Sequence, residues 1–214
     1  MAPAKKKKPT AAKKKKIAAV KVVKKKTSAQ KAAKTESLVW EKVSVADAVT
    51  TVLTHLQAGN VQAVLVGASC AALHVPSLKP KSIDLVVREY HVLEMAKLMK
   101  QLGYKEVELR SFVSLRSPYA IHFFPAPVAV GDAQVYQFKM YKHRSHHFPI
   151  LNETDCVRHR LSQWYHWGEE DALRDALVLS KKCKVDQQLI QRWSEQEWAK
   201  EKYLEFARLL KEQK

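Results

Sequence analysis

Three blocks of consecutive lysines decide at once how much of this chain can fold. They are Lys5, Lys6, Lys7 and Lys8, then Lys13, Lys14, Lys15 and Lys16, then Lys24, Lys25 and Lys26. Residues 1–36 hold 14 lysines and a single acid, Glu36, and the spacers are mostly alanine, proline and valine. Like charges at this density repel, and such spacers bury too little apolar surface to offset the entropy of ordering, so residues 1–36 are expected to be a disordered tail. The other 178 residues carry 24 basic and 20 acidic side chains, so most of the formal net charge of +17 belongs to the tail. Each lysine that neutralises a phosphate releases a counterion. The tail holds no arginine and no aromatic residue, so base readout and stacking are not expected. The partner it suits is nucleic acid bound without sequence preference. The plainer reading is a solubilising tail.

The remaining 178 residues are long enough for a domain with a real core. No window holds 18 consecutive apolar residues, so no membrane partner is expected. The lysine run is not followed by an apolar segment and a cleavage site, which argues against a secretory signal. Its lack of arginine argues against a mitochondrial presequence. The expected location is cytoplasmic, with nucleoid association as the variant the tail suggests, or nuclear in a eukaryote. The three cysteines, Cys70, Cys156 and Cys183, have no metal-like spacing. An odd number without a signal fits free thiols in a reducing compartment, with Cys70 and Cys156 as small core residues.

From Ser37 the pattern becomes that of a folded body. Ser44, with Asp47 three residues later, opens a helix carrying Ala48, Val49, Val52, Leu53 and Leu56, and Gly59 closes it. Val61 to Val66 reads as a buried strand ending at Gly67–Ser69, and Cys70 to His74 as a short helix. Ser82 to Val87 is a second strand, and a helix from Val92 ends before Gly103. Residues 105–141 are β-rich, with Glu106–Leu115 alternating, Tyr119–Phe124 branched and aromatic, and Val135–Met140 shorter. Phe148–Leu151 is a last short strand. From Thr154 onward the chain is helical, with Thr154 and Asp186 as caps and Ser194–Glu197 as a capping box. The order makes an α+β protein: a small mixed β-sheet core over 37–151, then a C-terminal helical bundle over 152–214.

Chemistry is concentrated in the strand, glycine turn and helix around Gly67, and in the acid on the next strand. A glycine turn lets backbone approach a ligand closely, and the amides at a helix start hold phosphate. Asp84 is placed to hold a divalent metal between phosphate oxygens. Lys79 and Lys81 in the intervening loop add positive charge.

The run Val64-Leu65-Val66-Gly67-Ala68-Ser69-Cys70-Ala71-Ala72-Leu73-His74 resembles the opening motif of nucleotidyltransferase-fold proteins. The branch is that of the minimal nucleotidyltransferases and abortive-infection toxins, within the polymerase-beta-like superfamily. A basic loop and Ser82-Ile83-Asp84 follow in the expected order. Phe124–Asp132 and Thr154–Trp167 resemble later segments of bacterial members, so the likeness spans roughly residues 45–210. The lysine tail resembles those of linker-histone-like proteins.

The resemblance implies a sheet that presents three carboxylates to two Mg²⁺ ions, with a nucleotide triphosphate held at the glycine turn and transferred to a hydroxyl. It assigns nucleotide binding to Gly67, Ala68, Ser69 and Ser82, and metal binding and catalysis to Asp84. This chain departs from that pattern. Ser82 stands where the first acid is expected. The third acid falls on Phe123, or on His122 with a shift of one residue. Mg²⁺ is a cofactor only if activity survives.

The leading expectation is therefore a nucleotide- or nucleic-acid-binding protein with a degenerate metal site, tethered by its tail. The alternatives are an active Mg²⁺-dependent nucleotidyltransferase, toxin-like and paired with an antitoxin, that modifies RNA or protein, and a nucleoid-associated structural DNA binder. Arg158 and Arg160, with His159 and His166 seven residues apart, are candidate phosphate contacts on their helix. His143, His146 and His147 read as a basic loop. Trp164, Trp167, Trp193 and Trp198 read as core.

Overall fold

The computed structural model describes residues 43–212. The lysine blocks and the start of the body at Ser37 lie outside the described residues. Ser44 caps the first helix, α1 (Val45–Ala58), by accepting from the Asp47 amide at 3.1 Å, and Gly59 follows its last turn. Next come β1 (Ala63–Val66), α2 (Gly67–His74), β2 (Ser82–Val87) and α3 (Val92–Gln101). Short strands follow: β3 (Lys105–Glu108), β4 (Ser111–Val113), β5 (Ala120–Pro125), β6 (Ala129–Val130) and β7 (Ala133–Gln134). The hairpin β8 (Lys139–His143) and β9 (His146–Ile150) leads into four helices, α4 (Glu153–Trp167), α5 (Glu170–Lys182), α6 (Gln187–Gln196) and α7 (Lys200–Glu212).

The main sheet has seven strands in the order β3-β4-β5-β2-β1-β9-β8. It is mixed: β2 runs parallel to β5 and β1 parallel to β9, while β1–β2, β3–β4, β4–β5 and β8–β9 are antiparallel. The α+β class with helices following the sheet is thus the observed one. Strand alternation divides the central strands cleanly. Ile83 and Leu85 pair across β2–β5 with Ile121 and Phe123, and all four are buried. Ser82, Asp84 and Val86 project from the opposite face, beside Ala120, His122 and Phe124. That second face is flanked by α4 and α5.

The elements differ from expectation where single residues bend the backbone or find distant partners. The alternating stretch 106–115 is not one strand. Arg110 takes φ +66° and turns it into the β3–β4 hairpin. The helix after β1 begins at Gly67 itself, three residues earlier than the apolar pattern indicates. Asn152, not Thr154, caps α4, because its side chain accepts from the Asp155 amide at 2.9 Å, and Thr154 instead accepts from the Asp186 amide at 3.0 Å. Ser194 caps nothing. It lies inside α6, fully buried, bonded to the Ile190 carbonyl at 2.8 Å and to the Tyr165 hydroxyl at 2.9 Å.

The tryptophans divide. Trp164 and Trp193 are buried, but Trp167 and Trp198 are 67% and 96% exposed. Trp193 ties the helices to the β6–β7 hairpin. Its indole N–H donates to the Val130 carbonyl at 3.2 Å, and its ring stacks on Tyr165 with centroids 5.7 Å apart. The Arg158 guanidinium lies 5.0 Å from the ring centroid. The histidine-rich β8–β9 hairpin is held against α1: His143 Nε2 and the Arg144 guanidinium both meet Asp47, at 2.9 and 2.6 Å. Among the described residues no helix is long and apolar enough to cross a membrane.

Candidate functional site

The site forms where the chain leaves β1. Gly67 adopts φ +69°, a region that L side chains rarely occupy, and starts α2 at once. A Cβ at Gly67 would sit 2.2 Å from Asp84 Oδ2, so the carboxylate packs against bare backbone. Val66 and Asp84 are register partners across β1–β2, which sets that contact. The Ser69 hydroxyl donates to the Ser82 carbonyl and locks the first turn of α2 onto β2.

A cleft of about 1100 Å³ opens over this corner. Its floor is Val66, Ala68, Ser82, Asp84, Val86, His122 and Phe124. Lys79, Pro80 and Lys81 form one rim, and the opposite wall carries His159, Arg160, Gln163 and Trp167 of α4 with Asp171, Arg174 and Asp175 of α5. The structure therefore gathers Ala68, Lys79, Lys81, Ser82, Asp84 and Arg160 around one cleft, with Gly67 beneath Asp84. It turns Ser69 inward, fully buried. Arg158 lies away from the cleft, paired with Asp155 at 2.7 Å and set over Trp193.

The register settles which residue stands beside Asp84. It is His122, on the parallel neighbour β5. Phe123 faces the other side and packs edge-on against Phe112, with centroids 5.7 Å apart. His122 Nδ1 is 3.0 Å from the Ser111 hydroxyl on β4, which fixes the ring.

Burial raises the pKa of Asp84, against the opposing effects of a hydrogen bond from Ser82 and the charges of His122 and Arg160, while Glu169 adds to the rise. Arg160 lies 3.2 Å from Asp175 across the wall and is itself buried. Asp175 too is raised by burial and drawn back chiefly by Arg160. One guanidinium thus pairs with the half-buried Asp175 of α5 and favours the charged form of Asp84 on the sheet. His159 is driven down to about 4 by burial and by the charge of Arg160, so it is neutral at pH 7, and its Nδ1 is buried with no hydrogen-bond partner. The rim charges are also paired: Lys81 lies 3.6 Å from Asp171, which Arg174 also contacts.

A Mg²⁺ ion needs several oxygen ligands at about 2.1 Å. Among the described residues, the ligand atoms of Asp84 are not joined within 4.8 Å by those of two further histidine, cysteine or carboxylate groups. Ser82 and His122, its flanking neighbours on the floor, supply no carboxylate. The residues present do not fit a two-metal centre.

Sequence reasoning missed the α5 wall. Asp171, Arg174 and Asp175 lie on an amphipathic helix whose charged face looks like a solvated surface. The 15-residue separation of Arg160 and Asp175 shows only once α4 and α5 pack together.

No family model and no curated protein matches the chain. Two solved structures are similar to it. The solution structure of the antibiotic-resistance factor ANT(2'')-Ia is 10% identical, with a TM-score of 0.47, over 64% of this chain and 82% of that one. The crystal structure of ANT(2'')-Ia in complex with adenylyl-2''-tobramycin is 11% identical, with a TM-score of 0.38, over 66% of this chain and all of that one.

Proposed function

We propose that this protein binds a nucleotide in the cleft over Asp84 without transferring it, and that its lysine tail holds it near nucleic acid. The observation that carries this reading is Arg160, 3.2 Å from Asp175 and lining the same cleft as Asp84. In the nucleotidyltransferases that the sequence resembles, a metal ion neutralises carboxylates and ligand phosphates together. Here a covalently held cation neutralises the carboxylates. It cannot offer open coordination positions to an attacking and a leaving oxygen, which is what a two-metal displacement requires.

The ligand's phosphates would lie along the first turn of α2, where the backbone amides after Gly67 are free of side-chain caps. Lys79 and Lys81 stand at the rim to meet them. Trp167, exposed at the cleft mouth, is placed to stack on a base. Because Lys81, Arg160 and Arg174 are already paired, an incoming phosphate exchanges ion pairs rather than finding free charge, and modest affinity follows.

The experiment has two arms. Titration of the full chain with a nucleoside triphosphate, followed through Trp167 fluorescence against Trp167→Phe, reads the cleft. DNA binding by the full chain and by the chain begun at Ser37, across a salt series, reads the tail. Saturable nucleotide binding together with a salt-dependent loss of DNA affinity on truncation supports the reading. Nucleotide labelling of RNA or protein that disappears in Asp84→Ala overturns the non-transferring part. Equal DNA affinity of the two chains overturns the role of the tail.

A further inference from the structure

A second cluster of chemistry lies behind α2, outside the cleft. Cys70 and His74 are one helical turn apart, at i and i+4, and so share a face of α2. Cys156, in the first turn of α4, meets them. The two thiol sulfurs and one imidazole nitrogen all lie within 4.8 Å of one another. Both cysteines are fully buried. Cys183 takes no part in the cluster.

We propose that Cys70, Cys156 and His74 form a binding site for a single Zn²⁺ ion that clips α2 to α4. Zinc takes cysteine sulfur at about 2.3 Å and histidine nitrogen at about 2.0–2.1 Å, so a tetrahedral centre of these three donors and one water needs the three atoms about 3.5–3.8 Å apart. From separations of at most 4.8 Å, that spacing is reached by closing in by up to about 1.3 Å, a side-chain adjustment. Charge selects the ion. Two thiolates balance one dication, and a neutral site is what a buried location tolerates. A monovalent soft cation would leave a net negative charge there. Mg²⁺ and Ca²⁺ lack the oxygen ligands they require.

The imidazole is already oriented. Nδ1 of His74 faces the Glu153 carboxylate at 3.5 Å, and Glu153 in turn contacts Lys139. Nε2 and the Cys70 sulfur converge on the Leu151 carbonyl, at 2.9 and 3.7 Å. To ligate, Nε2 gives up the hydrogen it donates to Leu151 and turns from that carbonyl toward the sulfurs, while Nδ1–H stays on Glu153. A carboxylate partner of this kind behind a ligating histidine fixes the tautomer and strengthens the ligand. Binding also releases both thiol protons. Zinc or cobalt is the only co-reactant.

The consequence reaches the cleft. α2 begins at Gly67, under Asp84, so an ion that anchors its last turn to α4 also fixes the wall that carries Arg160.

The test uses the full chain, stripped with a chelator and dialysed against Zn²⁺ or Co²⁺. The expected result is one ion per chain and a near-ultraviolet thiolate-to-Co²⁺ charge-transfer band with tetrahedral visible bands. A melting temperature raised by about 5–10 °C at a hundredfold excess over Kd accompanies it. In a denaturant concentration that partly opens the metal-free chain, zinc should slow alkylation of two of the three thiols and leave Cys183 reactive, a readout that needs no variant. Glu153→Gln should keep the cobalt spectrum and weaken affinity by about 10–100-fold. Cys70→Ser and Cys156→Ser should each abolish the charge-transfer band. Uptake without thiol protection, or no stoichiometric uptake by the wild-type chain, would each overturn the proposal.

Discussion

Asp84 and His122 stand side by side as register partners on two parallel strands, β2 and β5, facing the same cleft. An acid and an imidazole occupy neighbouring floor positions, and Arg160 on the opposite wall favours the charged form of that acid. The account of the cleft rests on this arrangement, and each part of it has a measurable consequence.

Gly67→Ala should destabilise the chain by about 1–3 kcal/mol, read as a lowered denaturant midpoint with unchanged slope. Two costs combine: a Cβ in a positive-φ residue, and a clash 2.2 Å from Asp84 Oδ2. Asp84→Ala removes only the clash. The double variant should therefore be more stable than the sum of the single effects allows, by roughly 0.5–2 kcal/mol of coupling.

Arg160→Met should cost about 1–3 kcal/mol at pH 7, because it leaves the half-buried Asp175 without its ion partner and removes one charge that favours ionised Asp84. The pKa values of both carboxylates are already raised by burial and should rise further without the guanidinium. A carboxylate with a raised folded pKa binds a proton more readily folded than unfolded, so the penalty shrinks as pH falls through that range. Chemical denaturation at pH 7 and pH 5 should show the gap between wild type and variant closing.

His159 makes the opposite contribution. Its imidazole titrates at about 4 in the folded chain, against about 6.5 for an unfolded histidine. Between those values the unfolded chain holds the extra proton, so stability rises with pH across that window, by up to about 3 kcal/mol. His159→Gln should flatten the wild-type slope between pH 4 and 6.5 and leave it unchanged above pH 7.

Ser44→Ala tests the seam between α1 and the histidine hairpin. It removes an N-cap, a loss of about 1 kcal/mol, and a hydrogen bond to Asp47. The Asp47 pKa is lowered, first by its hydrogen bond to His143 and then by Ser44, so its contribution is present at neutral pH and lost as pH falls below the ordinary carboxylate range. Acid titration of stability should show the Ser44→Ala deficit narrowing at low pH.

The fold's outline was legible because its signals are local. The Ser44 cap, the alternation of Ile83, Asp84 and Leu85, and the left-handed Gly168 after α4 are all written within a few residues. That Asp84 lies on the strand next after the Gly67 turn was legible too, although its register opposite Val66 was not. Contacts made by distant segments were not legible. Ser194 followed by Glu197 looks like a capping box, but Ser194 spends its hydroxyl on Tyr165 and Ile190, and Glu197 reaches across to the Asp132 amide. Cys70 and Cys156 looked like isolated core residues because 85 positions separate them, and only the packing of α2 on α4 reveals His74 between them. The choice between His122 and Phe123 needed strand register, which a run of apolar residues on both sides does not specify.

The most direct measurement of the central claim is nucleoside triphosphate affinity in the presence of Mg²⁺ and in excess EDTA, for wild type and Arg160→Met. A cleft neutralised by Arg160 predicts saturable binding that changes by no more than about threefold, under about 1 kcal/mol, when the metal is removed. It also predicts at least a tenfold loss of affinity in Arg160→Met. Binding that collapses in EDTA while Arg160→Met binds as well as wild type would contradict it, and would mean that a metal, not this arginine, is the cation of the site.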